Sequence, residues 1–389
     1  MVAGSPDSPA GASLPTALRL DAALRGRARI PRYSAIWLAT ALLFAVSPLL
    51  ASGSVSRGAL LSMLPFASIL AIAGIGQTLV IQQRGLDLSV PGMITLSTIL
   101  VTKLPNGDGG KLPMAIAVVA GACIAAGALS GFVITMLGVT PLVATLGVNA
   151  LLTGVVLDIT NGASTSSATN GLSRFALAKT GGIPNTALIA AGSILAVALL
   201  FRTSVFGRRF VAVGTSGAAG RAAGVRVKAV EFSTYVLASL TYGAAGILAA
   251  GYLGTPGIGA GNDYLLPTIA AVVLGGTSLA GGRGSVLATA LGALFLTQLE
   301  QVVLGMGAPP SVQLVIQGSI IALGMAVRNV PWRHVRRLLP SRSPHLGGAD
   351  DPSSAEDARP MTPLVAAGRV EHAHVHTAHT WGRGGRNDQ

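Results

Sequence analysis

Ala59–Gln82 reads ALLSMLPFASILAIAGIGQTLVIQ, 24 residues without a single charge. As a helix this run would rise about 36 Å, enough to cross the roughly 30 Å hydrocarbon core of a bilayer. Nine further apolar stretches lie on either side of it, near 34–53, 88–103, 112–136, 140–160, 186–201, 230–254, 264–280, 284–305 and 309–327. Those at 88–103, 186–201 and 264–280 are short, so each is read as tilted, broken or re-entrant. The expected fold is therefore an all-α polytopic integral membrane protein of about ten transmembrane helices with broken or re-entrant segments, arranged as two related halves.

Composition agrees. Charged residues make up 11% of the chain, against roughly 25% in soluble proteins, which need charge to cover their surface. Glycine, at 51 residues, is abundant and aromatic residues are only 4%; small side chains let membrane helices approach closely. Gly127-x-x-x-Gly131 is one such candidate contact. The lone cysteine, Cys123, permits no intramolecular disulfide and no cysteine-based metal site.

The net charge of +13 could suggest nucleic acid, but its placement points to the membrane. With ten spans and the N-terminus inside, the inner segments 1–33, 83–87, 137–139, 202–229, 281–283 and 328–389 hold 22 basic residues. The outer segments hold five: Arg57, Lys103, Lys111, Arg174 and Lys179. This inward bias expects both termini in the cytoplasm and the protein in the cytoplasmic membrane. About thirty polar, Arg-containing residues precede the first apolar stretch, so no cleavable signal peptide is expected. The domain reading is a disordered tail at 1–33, a permeation domain at 34–328 and a disordered tail at 329–389. Four histidines of the last tail, His372, His374, His376 and His379, are read as solvated rather than metal-binding, for want of a supporting shell.

Three hydrophilic interruptions carry the functional expectations. The loop 206–231, FGRRFVAVGTSGAAGRAAGVRVKAVE, contains a small-residue helix signal (Ala218, Ala219, Ala222, Ala223) with Arg221 within it and Gly224 as its stop. It suits an ordinary positive inner loop, or a short helix that docks into a groove on a cytoplasmic partner. Arg84–Gly92 and Gly275–Ser285 interrupt apolar runs, one in each half. Asp87 and Ser89 are good N-cap types, with Pro91 acceptable in the first turn. Irregular backbone at membrane depth also marks a protein-lined or wet pathway. Candidates for lining such a path are Gln77, Asp87, Ser89, Asn149, Thr277, Ser278, Gln301 and Gln313; the amides serve equally well as helix–helix hydrogen bonds. Glu300 and Asp158 are placed near outer ends, solvated. There is no phosphate-binding Gly-x-x-x-x-Gly-Lys-Ser/Thr loop, no HExxH and no paired carboxylate site. The chain is thus expected to bind no cofactor itself and not to be an enzyme.

The ordered motifs resemble one family. Gly76-Gln77-Thr78-Leu79-Val80 followed by Gly85-Leu86-Asp87-Leu88-Ser89-Val90 resembles the "GQT.V…GGIDLSVG" signature of ribose/xylose-type ABC sugar transporter permeases, of the branched-chain amino acid/ribose permease superfamily. Thr140–Gly147, TPLVATLG, is similar to "PPFIATLG", and Ile269–Gly284, IAAVVLGGTSLAGGRG, to "IAAVVLGGTSLSGGKG". The resemblance covers about residues 35–328. It implies a dimeric permease, expected as a homodimer with a heterodimer left open, with cytoplasmic ATPase subunits, which would bind ATP and Mg, and an extracytoplasmic solute-binding protein. It also implies that Ala218–Gly224 is the coupling helix to the ATPase. The chain departs from the pattern at Gly217 (usually acidic), Arg84 (Gly), Glu300-Gln301 (Asn-Asn) and Gln317 (often Lys). The expected activity is import of a small polar solute such as a monosaccharide. The competing reading is an ion-coupled carrier or channel that works alone.

Overall fold

The computed structural model describes residues 33–163 and 166–329. The expected disordered tails and the histidine cluster lie outside the described residues. Helices occupy every one of the ten apolar stretches: α1 (Ser34–Leu50), α2 (Arg57–Gln82), α3 (Val90–Lys103), α4 (Leu112–Thr135), α5 (Pro141–Thr160), α7 (Asn185–Thr203), α10 (Val227–Leu253), α11 (Leu265–Leu274), α12 (Val286–Gly305) and α13 (Pro310–Asn329). Between them lie α6 (Asn170–Leu177), α8 (Val205–Thr215) and α9 (Gly217–Ala222). Among the described residues the β structure is a two-residue pairing of Lys179–Thr180 with Ile183–Pro184. Six helices, α2, α4 (with the short turn before it), α5, α7, α10 and α12, are long and apolar enough to cross a membrane. The chain is an all-α, multi-pass membrane protein. The expected breaks fall at α3 and α11, of 14 and 10 residues, whereas α7 is one uninterrupted helix of 19.

α10 runs through the middle and touches α2, α3, α4 and α6, while α12 packs on α2, α11 and α1. The inner role of α2 and the outer role of α7 show in burial: 61% of the most apolar window of α2 is covered by protein but only 11% of that of α7. Leu195, Leu199 and Leu200 of α7, like Leu151 and Val155 of α5, are exposed, which suits lipid contact rather than water.

Small residues make the central crossing close. A Cβ on Gly127 would overlap Ser239 Oγ and lie 2.7 Å from the Tyr235 carbonyl oxygen; the Ser239 hydroxyl also donates to the Cys123 carbonyl at 2.7 Å. Bulk at this position forces α4 from α10. Gly127→Leu should cost about 2 kcal/mol of stability, seen as a lowered midpoint of thermal unfolding in detergent. An unchanged midpoint would refute this packing account.

Candidate coupling surface and solute cavity

α2 ends at Gln82, and Arg84 then takes a left-handed conformation (φ 66°). That geometry favours glycine. Here the guanidinium donates to the Thr215 carbonyl at 2.6 Å, and Gln83 Nε2 donates to the Phe210 carbonyl at 2.9 Å. The second break turns on Gly276, Gly281 and Gly282, with φ between 72° and 84°. Gly282 N donates to the Gln82 carbonyl at 2.8 Å. A Cβ on Gly281 would lie 2.7 Å from Gly214 O and 3.0 Å from Gln82 O. The two breaks therefore meet each other and the 204–224 loop through main chain, with little side-chain cushioning.

That loop is richer than its sequence suggested. It holds two helices rather than one. α8 buries Phe210 and Val213 and clamps Phe210 edge-on against Phe201 of α7, ring centroids 4.7 Å apart. α9 begins at Ser216, whose Oγ accepts from Ala219 N at 3.2 Å. It stops before Gly224 (φ 73°), where the left-handed turn ends the helix as expected. Gly220 faces inward, and Ala218, Ala219, Arg221 and Gly224 are exposed together. They form a small-residue face with one cation.

The other candidates separate into two groups. Gln77 is fully buried, and its Oε1 accepts from the Tyr242 hydroxyl of α10 at 3.1 Å. Tyr242 also reaches the Asp87 carboxylate. Asp87 Oδ1 accepts from both the N–H and the hydroxyl of Ser89, at 2.9 and 2.6 Å. Neither side chain caps α3: Ser89 occupies the N-cap position without a side-chain cap bond. The helix-start donor at Gly92 N is taken by Asn149 Oδ1 at 2.8 Å, from α5. Pro91 sits in the first turn as expected. Thr277 is buried and Ser278 half-buried at the second break, where Ser278 N donates to the Arg283 carbonyl.

Gln301 and Gln313 lie elsewhere. Gln301 Nε2 donates to the Ser54 carbonyl at 3.1 Å, and its neighbour Gln298 to Ser47 Oγ at 3.0 Å; both tie α12 to the α1–α2 region. Gln313 lines a cavity of about 600 Å³ with Asn262, Asp263, Thr297, Glu300 and Gln317. Helix direction fixes its position. α10 starts beside the 204–224 loop and carries Leu253 to the cavity, and α12 leaves the second break and reaches Glu300 14 residues later, about 20 Å along the axis. Surface loop and cavity thus occupy opposite ends of one helix set. Glu300 belongs to this cavity rather than to an isolated solvated helix end. Asn262, Asp263 and Tyr242 carried no signal in the sequence, being single polar or aromatic residues outside any motif. Among the described residues no group of three His, Cys, Asp or Glu could hold a metal ion.

The family described as branched-chain amino acid transport system / permease component matches residues 59–325. The ribose import permease protein of Escherichia coli K12 is 32% identical over 297 residues, covering 75% of this chain and 92% of that protein. The ribose import permease of Bacillus subtilis is 33% identical over 268 residues (68% and 83%). The galactofuranose transporter permease of E. coli is 32% identical over 273 residues (70% and 80%). No solved structure matches the chain. With its spanning helices, broken segments and match over most of the described region, the chain belongs to the branched-chain amino acid transport system permease family and is a transport subunit rather than an enzyme.

Proposed function

We propose that this chain is the translocating subunit of an ATP-driven importer for a monosaccharide in the cytoplasmic membrane. Ten spans place both termini in the cytoplasm, as the bias of basic residues toward the inner segments supports. Two copies form the pathway. A separate ATPase subunit, holding ATP and Mg, docks on the α8–α9 surface, and an extracytoplasmic binding protein delivers solute at the opposite end. Sugar is favoured because the relatives above are named for ribose import and galactofuranose transport, although the family description names branched-chain amino acids.

One observation carries the reading: the main-chain junction of the 204–224 loop with both broken segments. A tightly packed junction moves as a body, because close-packed interiors transmit displacement rather than absorb it. When the ATPase subunits close on ATP, the loop shifts and the helix ends at Gln82 and Gly275 shift with it, opening one end of the path as the other shuts. The buried set Gln77, Asp87, Ser89 and Thr277 then comes to border the solute, together with Ser278 and Asn149. The binding protein supplies most of the affinity, and the pathway needs only weak, multiple hydrogen bonds.

The exposed face of α9 provides the test. Ala219 points away from the permease, so Ala219→Trp leaves the subunit's own packing intact and clashes only with a docked partner. Such a clash is worth roughly 1–3 kcal/mol, so uptake should fall about tenfold or more while the yield of folded subunit stays level. Undiminished uptake by this variant would remove α9 as the docking element.

A further inference from the structure

The cavity at the end away from the coupling loop has an unusual charge. Two carboxylates, Asp263 and Glu300, line it and are close enough to repel each other. Among the described residues no Lys, Arg or His lines it. The Gln313 amide lines the same cavity as the Glu300 carboxylate. Gln317 is 5% exposed and lines the cavity, yet its Oε1 has no hydrogen-bond partner among the described residues. A buried carbonyl oxygen without a donor is costly, and natural proteins seldom leave one without a ligand or water to fill it. The volume, about 600 Å³, falls inside the roughly 300–1,000 Å³ range of small-molecule sites.

We infer that this cavity is a solute-binding site within a single subunit, and that Glu300 and Asp263 make it a charge filter that admits uncharged polyhydroxylated solutes and excludes anionic ones. The inference rests on the permease reading above. Glu300 accepts solute hydroxyls with its lone pairs, Gln317 Oε1 accepts another, and the amide groups of Gln317 and Asn262 donate to solute oxygens. Phe66 and Leu70 supply an apolar wall for the C–H face of a ring. A solute carboxylate or phosphate would meet the half-buried Glu300 and the exposed Asp263, two like charges lining one cleft whose walls focus the field.

The filter can be measured on the isolated full chain, without ATPase, binding protein or knowledge of the solute. Cys123, the single cysteine, is buried, and Cys123→Ser gives a cysteine-free background. A thiol introduced by Gln313→Cys is then labelled with a trimethylammonium-bearing and a sulfonate-bearing thiosulfonate of similar size at low ionic strength. Thr255→Cys, on an exposed lining position, is the second variant should the first fold poorly. Rates are normalised to those with free cysteine. The cationic reagent should label roughly tenfold faster or more, and adding Glu300→Gln should reduce that preference by about threefold or more. Equal rates for the two reagents, or a preference indifferent to Glu300→Gln, overturns the filter. Either result leaves the permease reading intact, since that reading depends on ATP-driven uptake.

Discussion

Gly214→Val should abolish measurable uptake, by about a hundredfold, in protein that still inserts and folds. Gly214 ends α8, and a Cβ there would overlap the Gln82 carbonyl oxygen and press on Gly282 N at 3.2 Å. Both obstacles are backbone, so no side chain can swing away; the loop must lift from the breaks. Overpacking of this kind costs about 1–3 kcal/mol, the upper end of which corresponds to about a hundredfold in an equilibrium between transport states. The helix body is spared, because Gly214 touches the end of α2 and the second break rather than the central α2–α10–α12 packing. Gly192→Val is the control: no atom outside its own helix lies within 4 Å of a Cβ there, and the residue is exposed on α7. Uptake and ATP hydrolysis should be measured together. The account expects hydrolysis to persist while uptake disappears; uptake near the unsubstituted level would mean that the junction transmits nothing.

Glu300→Lys acts at the other end and should lower uptake of an uncharged sugar by about thirtyfold, a loss of about 2 kcal/mol. The substitution removes one of the two cavity carboxylates and puts a cation beside a site otherwise built to accept hydroxyl protons. Glu300→Gln keeps an acceptor oxygen and should stay within about threefold, since a neutral hydrogen bond differs from a charge-assisted one by roughly 1 kcal/mol or less. Because α9 lies at the far end of α10, ATP hydrolysis by the docked partner should be unaffected in both variants. Equal uptake by Glu300→Lys and the unsubstituted chain would place the solute route elsewhere.

The helical frame was legible because a span needs a long uncharged run, and Ala59–Gln82 or Leu112–Thr135 can hardly be anything else. Helix interruption was legible at Gly275–Ser285 for a similar reason: five glycines and a Thr-Ser pair cannot continue α11. The 204–224 loop was only half legible. Gly224 announced its turn, but α8 hid its buried face, Phe210 and Val213, among Arg208 and Arg209, so it read as basic loop. The capping of α3 was misassigned, since Ser89 looks like a cap and the acceptor comes instead from Asn149, 57 residues away. The cavity was least legible of all. It is assembled from the ends of α10, α12 and α13 and the turn before α11, and nothing local marks Gln317 as different from Gln301, which is spent on a helix contact. Gln298, Gln301 and Gln317 each keep a buried Oε1 without a partner, and only Gln317 of the three lines the cavity. Arg84 shows the reverse, a departure from pattern whose cause is visible in the structure. A non-glycine φ of 66° is tolerated there because the side chain is bonded to Thr215.

The most direct test of the central claim is uptake into proteoliposomes containing this chain, its cognate ATPase subunit and the purified binding protein, with radiolabelled ribose, galactose and fructose offered in turn. The account predicts accumulation of at least one of them only when ATP, Mg and both partners are present, and none with an imposed proton or sodium gradient alone. Gradient-driven accumulation by this chain without the ATPase, or no ATP-dependent accumulation of any of the three sugars, would contradict it.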